Sequence, residues 1–197
     1  PFSYKCNSEV RDTNQFYGAY SPADDAYFFG HLVQKMYQDW YQTKVLDLPK
    51  TVLRVHVTKQ KHQPLENAFC FPVSATINFG DGSTVLNSKT DRGKISFYPF
   101  VALDVVGHEM SHGFTATHSN LQYYEESGAL NEAFSDMAAV VSNAYLREKF
   151  PVLYTANYHT ADMIWNIGSS IIRNPDPKVA MRYLDGPSRD GSSADCY

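Results

Sequence analysis

His108-Glu109-Met110-Ser111-His112 is the stretch of this chain best suited to do chemistry. The residues around it read as helix, and a helix turns by about 100° per residue, so His108 and His112 project from one face, one turn apart. That spacing lets two imidazoles reach one zinc ion at about 2.0–2.1 Å. Glu109 lies beside His108, close enough to act on water at the metal without being a ligand. Two histidines leave a tetrahedral ion short of protein ligands, and the run Gly128 to Asp136 supplies an oxygen donor in Glu132. Asp136, one turn beyond Glu132, can accept the free ring N–H of one ligand histidine, and Asn131 can serve the other. Such partners fix the tautomer and raise the basicity of the ligand.

The elements that must position these residues follow from periodicity and punctuation. Ser21-Pro22-Ala23-Asp24 carries an N-cap serine, a proline at the first helical position and an acid in the first turn. Apolar residues then recur at Phe28, Phe29, Leu32, Val33, Met36 and Trp40, which predicts an amphipathic helix over 22–42. Asp47-Leu48-Pro49 reads as a connecting turn. Residues 51–58 alternate with period two and predict a strand; further strands are expected at 67–71, 74–79 and 94–98, with Gly80-Asp81-Gly82 as a tight turn. Helices at 101–118 and 129–149 follow, joined by a polar loop containing Asn120. Beyond Phe150-Pro151 the signal fades; 163–172 reads as extended, and Asn174-Pro175-Asp176-Pro177 as a loop. A helix, a β-rich segment and then helices predict the α+β class.

Bulk properties narrow the function. The 197 residues carry a net charge of −4, which provides no basic face for nucleic acid or anionic lipid. No apolar run approaches the ~18 residues of a transmembrane helix. The three cysteines, Cys6, Cys70 and Cys196, lack the CxxC spacing of a structural zinc site. They read equally as buried thiols or as disulfide partners, and a Cys70–Cys196 bridge stays open.

The motifs His108–Thr115 (HEMSHGFT) and Asn131–Ala138 (NEAFSDMA) resemble the thermolysin family of zinc metalloendopeptidases, most of all its pseudolysin and vibriolysin branch. The resemblance extends through Gly18–Pro22, Asn67-Ala68-Phe69, Phe79–Gly82, Leu103–Val106 and Arg182–Gly191. It implies a gluzincin core in which His108, His112 and Glu132 hold Zn²⁺, Glu109 is the general base, and Asp136 and Asn131 support the histidines. It further implies that Tyr123 helps hold the tetrahedral intermediate. Asn67 and Ala68 would pair with the substrate backbone as an added strand. Arg182 would bind a substrate carbonyl, and Phe97, Val105 and Met181 would line a pocket for a large apolar P1′ residue. Protein or peptide substrates and a secreted, extracellular location are implied as well.

The same resemblance divides the chain into 1–100, part of a β-rich N-terminal lobe with one helix; 101–149, the two metal-binding helices; and 150–197, the start of a helical C-terminal lobe. A second catalytic histidine of the family falls beyond Tyr197, so the chain is expected to be a fragment, weakly active or inactive alone. It would expose an apolar face where the remainder of its own chain docks. Cys6 matches a cysteine whose family partner lies upstream. Of the carboxylates that bind Ca²⁺ in the family only Asp104 is retained, with Asn143, Ile164, Asn166 and Ser169 at the other positions, so a tight calcium site is not expected. Two other readings are a zinc-binding module without turnover and an aminopeptidase. The latter is disfavoured because the chain has no Gly-x-Met-Glu-Asn segment to grip a free N-terminus. His118 and His159 are expected to be surface residues.

Overall fold

The computed structural model describes residues 21–46, 51–59, 63–83, 95–157, 165–173 and 179–195. The turn expected at 47–49, the loop at 174–177, His159, Cys6 and Cys196 lie outside them. Helix α1 spans Pro22–Tyr41, and the Ser21 side chain accepts from the Asp24 N–H as its N-cap. Its Phe29, Leu32, Val33 and Met36 are buried, each contributing about 1.5–3 kcal/mol by removal from water. Phe28 and Trp40, expected on the same face, sit at its rim, where Phe28 meets Phe150 and Trp40 meets Tyr145 edge-on.

Strands β1 (Val52–Val57), β2 (Ala68–Phe71) and β3 (Thr76–Gly80) form one sheet in the order β1-β3-β2. β3 runs parallel to β1 and antiparallel to β2, and all five of its residues are buried. It starts later than the sequence suggests, because Pro72–Ser74 make a 3-10 turn and Ala75 is left-handed at φ +47. The strand expected at 94–98 is reduced, in its described part, to an isolated bridge between Phe97 and Ile172.

Helix α2 (Leu103–His118) is the axis of the fold, with every residue from Leu103 to Ser111 buried. Helix α3 (Glu125–Lys149) lies against it. α3 begins four residues before the expected start, at a Tyr124 N-cap whose side chain makes no cap bond and a Glu125 at φ +46. A short helix not foreseen, α4 (Pro151–Asn157), follows: Pro151 opens it at the point where the sequence signal fades. Strands β4 (Asn166–Ile167) and β5 (Arg182–Tyr183) pair antiparallel in a second, small sheet. Ile167 with Leu184 packs on Ala139 and Val140 of α3. The class is α+β, as expected, and no helix among the described residues is long and apolar enough to cross a membrane.

Candidate functional site

The buried α2 carries His108 and Glu109, each 7% exposed, to the floor of a cleft of ≈ 520 Å³. β2, with the preceding Asn67, forms one wall through Ala68, Phe69 and Cys70; Glu132 and Asn131 of α3, Tyr123 of the preceding loop and Arg182 of β5 complete the polar lining. Val105 and Met181, with Phe100 and Ile167, are among the cleft's apolar lining residues. Phe97 does not line it but packs behind, ring centroids 5.4 Å from Phe100.

His108, His112 and Glu132 converge as the sequence spacing predicts. Their facing atoms lie 3.0 Å apart between the two Nε2 atoms, 3.2 Å from His108 Nε2 to Glu132 Oε2, and 3.5 Å from His112 Nε2 to Glu132 Oε1. A tetrahedral zinc with ligands at about 2.05 Å sets neighbouring ligands about 3.3 Å apart, so the spacing fits. The outer ring nitrogens point to the same conclusion. His108 Nδ1 is 2.7 Å from Asp136 Oδ1, and His112 Nδ1 is 2.7 Å from Asn131 Oδ1. In the neutral rings, donation outward to these oxygens would leave both Nε2 lone pairs facing the Glu132 carboxylate. Two imidazole nitrogens and a carboxylate gathered this closely are a donor set that suits zinc.

Electrostatics agree with a site built around charge. Burial, offset in part by His108, pushes the Glu109 carboxyl up to about 7. Burial works against ionised Asp136 too, but hydrogen bonds from His108 and Arg182 prevail and hold it below its ordinary value. Glu132 is lowered by its bond to His108. Burial and the Glu109 charge push the Cys70 thiol up to about 12. Cys70 is in no disulfide within the described residues.

Several positions depart from the simple reading or add to it. Tyr123 is 69% exposed, and its hydroxyl bonds Glu132 Oε1. Arg182 binds Asp136 with two hydrogen bonds. Ser135, which sequence reasoning passed over, is fully buried with its hydroxyl 3.2 Å from His112 Nδ1; its place four residues after Asn131 on one helix face was the available signal. Ser111 donates to the Gly107 carbonyl at 2.7 Å and lies 2.9 Å from the Tyr37 hydroxyl, pinning α2 to α1. His118 is exposed and stacks on Phe114.

A carboxylate beside two histidines one helical turn apart, closed by a glutamate from the next helix, defines a mononuclear metal site of the hydrolytic class. Comparison with known proteins agrees. The model of the thermolysin metallopeptidase catalytic domain matches residues 3–116, and that of the family's alpha-helical domain matches 119–197. A zinc metalloproteinase of Legionella pneumophila is 39% identical over 90% of this chain and 28% of its own length. The virulence metalloprotease of Vibrio anguillarum is 38% identical over 98% of this chain and 26% of its own. Among solved structures, the precursor of protealysin, a metalloproteinase from Serratia proteamaculans, superposes with a TM-score of 0.56 at 27% identity, over 80% of this chain and 44% of that one. The chain belongs to the thermolysin family of metallopeptidases. It spans little more than a quarter of the length of these two relatives.

Proposed function

We propose that this chain carries the zinc-holding and proton-transferring centre of a secreted endopeptidase that cleaves before a large apolar residue. The observation that carries this reading is the convergence of His108, His112 and Glu132, with Glu109 adjacent, in a cleft walled by β2. Zinc bound there would supply Lewis-acid polarisation of the scissile carbonyl and acidify the attacking water.

The chain's own residues do the rest. Glu109, buried and short of solvent, takes the water's proton and passes it to the departing amine. The Tyr123 hydroxyl, freed from Glu132, donates to the oxyanion. Asn67 and Ala68 offer backbone groups to an extended peptide, and Arg182 offers a guanidinium to its carbonyl. Val105 and Met181, with Phe100 and Ile167, supply apolar lining that would favour a large P1′ side chain. Phe97 supports Phe100 from behind. In this reading 1–100 supplies the substrate wall, 101–149 the metal and proton chemistry, and 150–197 the Arg182 side of the cleft.

Zinc content and hydrolysis of a peptide with Leu at P1′ test the proposal on the full chain. We expect one zinc per chain, lost in His112→Ala. Glu109→Gln should keep the zinc and lose hydrolysis. Undiminished zinc in His112→Ala would sink the ligand set, and turnover by Glu109→Gln at unchanged zinc would sink the role of Glu109.

A further inference from the structure

Asp104 is a buried acid that the proton chemistry does not use. It is 4% exposed and lies in the first turn of α2. Its Oδ1 accepts from the Val105 N–H at 2.9 Å and its Oδ2 from the Gly168 N–H at 2.7 Å. The N-cap Ala102 has no side-chain acceptor, so this carboxylate serves one of the N–H groups that a helix start leaves unpaired. Burial pushes its pKa up, while the Gly168 and Val105 amides and the Arg182 charge favour ionisation.

The second bond leaves α2 for the β4–β5 hairpin. Gly168 has φ +75, and a Cβ there would lie 2.6 Å from Met181 Sδ. The Met181 N–H donates to the Ile167 carbonyl at 2.9 Å. Ile167, Met181 and Arg182 all border the cleft. The Asp104–Gly168 contact therefore sets where this wall stands against the metal-binding helix.

Family resemblance would place calcium at Asp104, and the described residues do not fit it. Ca²⁺ takes about six to eight oxygens, several of them charged. Here both oxygens of Asp104 already accept from backbone amides, and the aligned Asn143, Asn166 and Ser169 are neutral. The buried Asn143 Oδ1, without a hydrogen-bond partner, adds one uncharged oxygen.

We propose that Asp104 is a positioning residue, a carboxylate-to-amide clamp that holds the Ile167–Met181 wall and Arg182 against the metal site without calcium. Only the kinetic part of its test rests on the peptidase reading.

Hydrogen exchange at Gly168 and at Met181–Tyr183 tests the clamp in the full zinc-loaded chain. Asp104→Ala should accelerate exchange there about tenfold or more, with zinc stoichiometry unchanged. Asp104→Asn keeps the shape but turns an NH₂ toward an N–H, and should give a smaller acceleration; it carries the test if the alanine variant does not fold. Asp104→Asn should also raise KM for a peptide with Leu at P1′ several-fold more than it lowers kcat. Unchanged hairpin exchange in both variants overturns the proposal. So does Asp104-dependent slowing of that exchange by millimolar calcium in the unmodified chain. The exchange readout needs no turnover, so a chain that binds zinc yet cleaves nothing would sink the peptidase reading and leave the clamp standing.

Discussion

Asp136 receives Arg182 on both carboxylate oxygens, from Nε to Oδ2 at 2.7 Å and from Nη2 to Oδ1 at 2.6 Å. The same Oδ1 lies 2.7 Å from His108 Nδ1. One carboxylate thus joins a residue expected to touch substrate with a residue expected to touch metal. Asp136→Asn keeps one acceptor and replaces the other with a donor facing a guanidinium. Zinc affinity should fall about 10–100-fold, read by competition with a chelator of known strength. An affinity within twofold of the unmodified chain would show that His108 orients without help.

Tyr123 allows metal holding to be separated from turnover. It stands 69% exposed in the loop before α3, hydroxyl on Glu132. Tyr123→Phe should leave zinc affinity nearly unchanged and lower kcat about 10²–10³-fold, the usual effect of losing one oxyanion donor. Steady-state kinetics alongside zinc titration decide it. A drop in zinc affinity with kcat intact would make Tyr123 a prop for Glu132 instead.

Gly107 sets the distance between the two metal-bearing helices. A Cβ there would lie 2.8 Å from Ser142 Oγ and 3.3 Å from Ala139 Cα. In an isolated helix Gly→Ala gains about 1 kcal/mol, but overpacking at a tight contact costs about 1–3 kcal/mol. Gly107→Ala should therefore cost about 0–2 kcal/mol net, lower Tm by up to about 8 °C, and weaken zinc binding by moving Glu132 away from His108. Thermal denaturation with a raised Tm would mean that α3 can shift freely.

His56 and Asp81 give a pH signature remote from the metal. His56, at φ +59 in the irregular part of β1, places Nδ1 2.9 Å from Asp81 Oδ1 and 3.0 Å from Oδ2. The Asp81 hydrogen bond raises the His56 pKa. A raised histidine pKa means that the folded state binds the proton more tightly. The added stability is complete below the unfolded pKa near 6.5 and is lost as pH rises through the folded value. With both side chains more than a third exposed, the gain is about 0.5 kcal/mol or less. Tm should drop by about 1–2 °C across that interval, and His56→Gln should flatten the drop. An equal drop in the variant would assign it to other groups.

What could be read from the chain alone was local. α1 announced itself through Ser21, Pro22 and a regular apolar stripe. The metal triad was legible because His108 and His112 share one helix and Glu132, Asn131 and Asp136 share the next, so periodicity alone fixes their faces. The start of α3 carried no capping side chain to reveal it. Pro151 was ambiguous in kind, since a proline that bars helix continuation is also favoured at a helix start. Phe97 was assigned to a strand and a pocket wall, yet its bridge partner Ile172 lies far along the chain. The Asp104–Gly168 and Arg182–Asp136 contacts were hidden for the same reason: they join distant segments and leave no local pattern.

The sheet order β1-β3-β2 leaves one long side of β2, among the described residues, without a strand partner, and residues of that strand border the metal site. A backbone row of this kind accepts a guest only if the guest presents several consecutive residues stretched out and stripped of their own hydrogen bonds. A tightly folded protein offers such a length only when it opens locally. The cost of that opening, set by the victim and not by this chain, would then decide which proteins are cut and how fast.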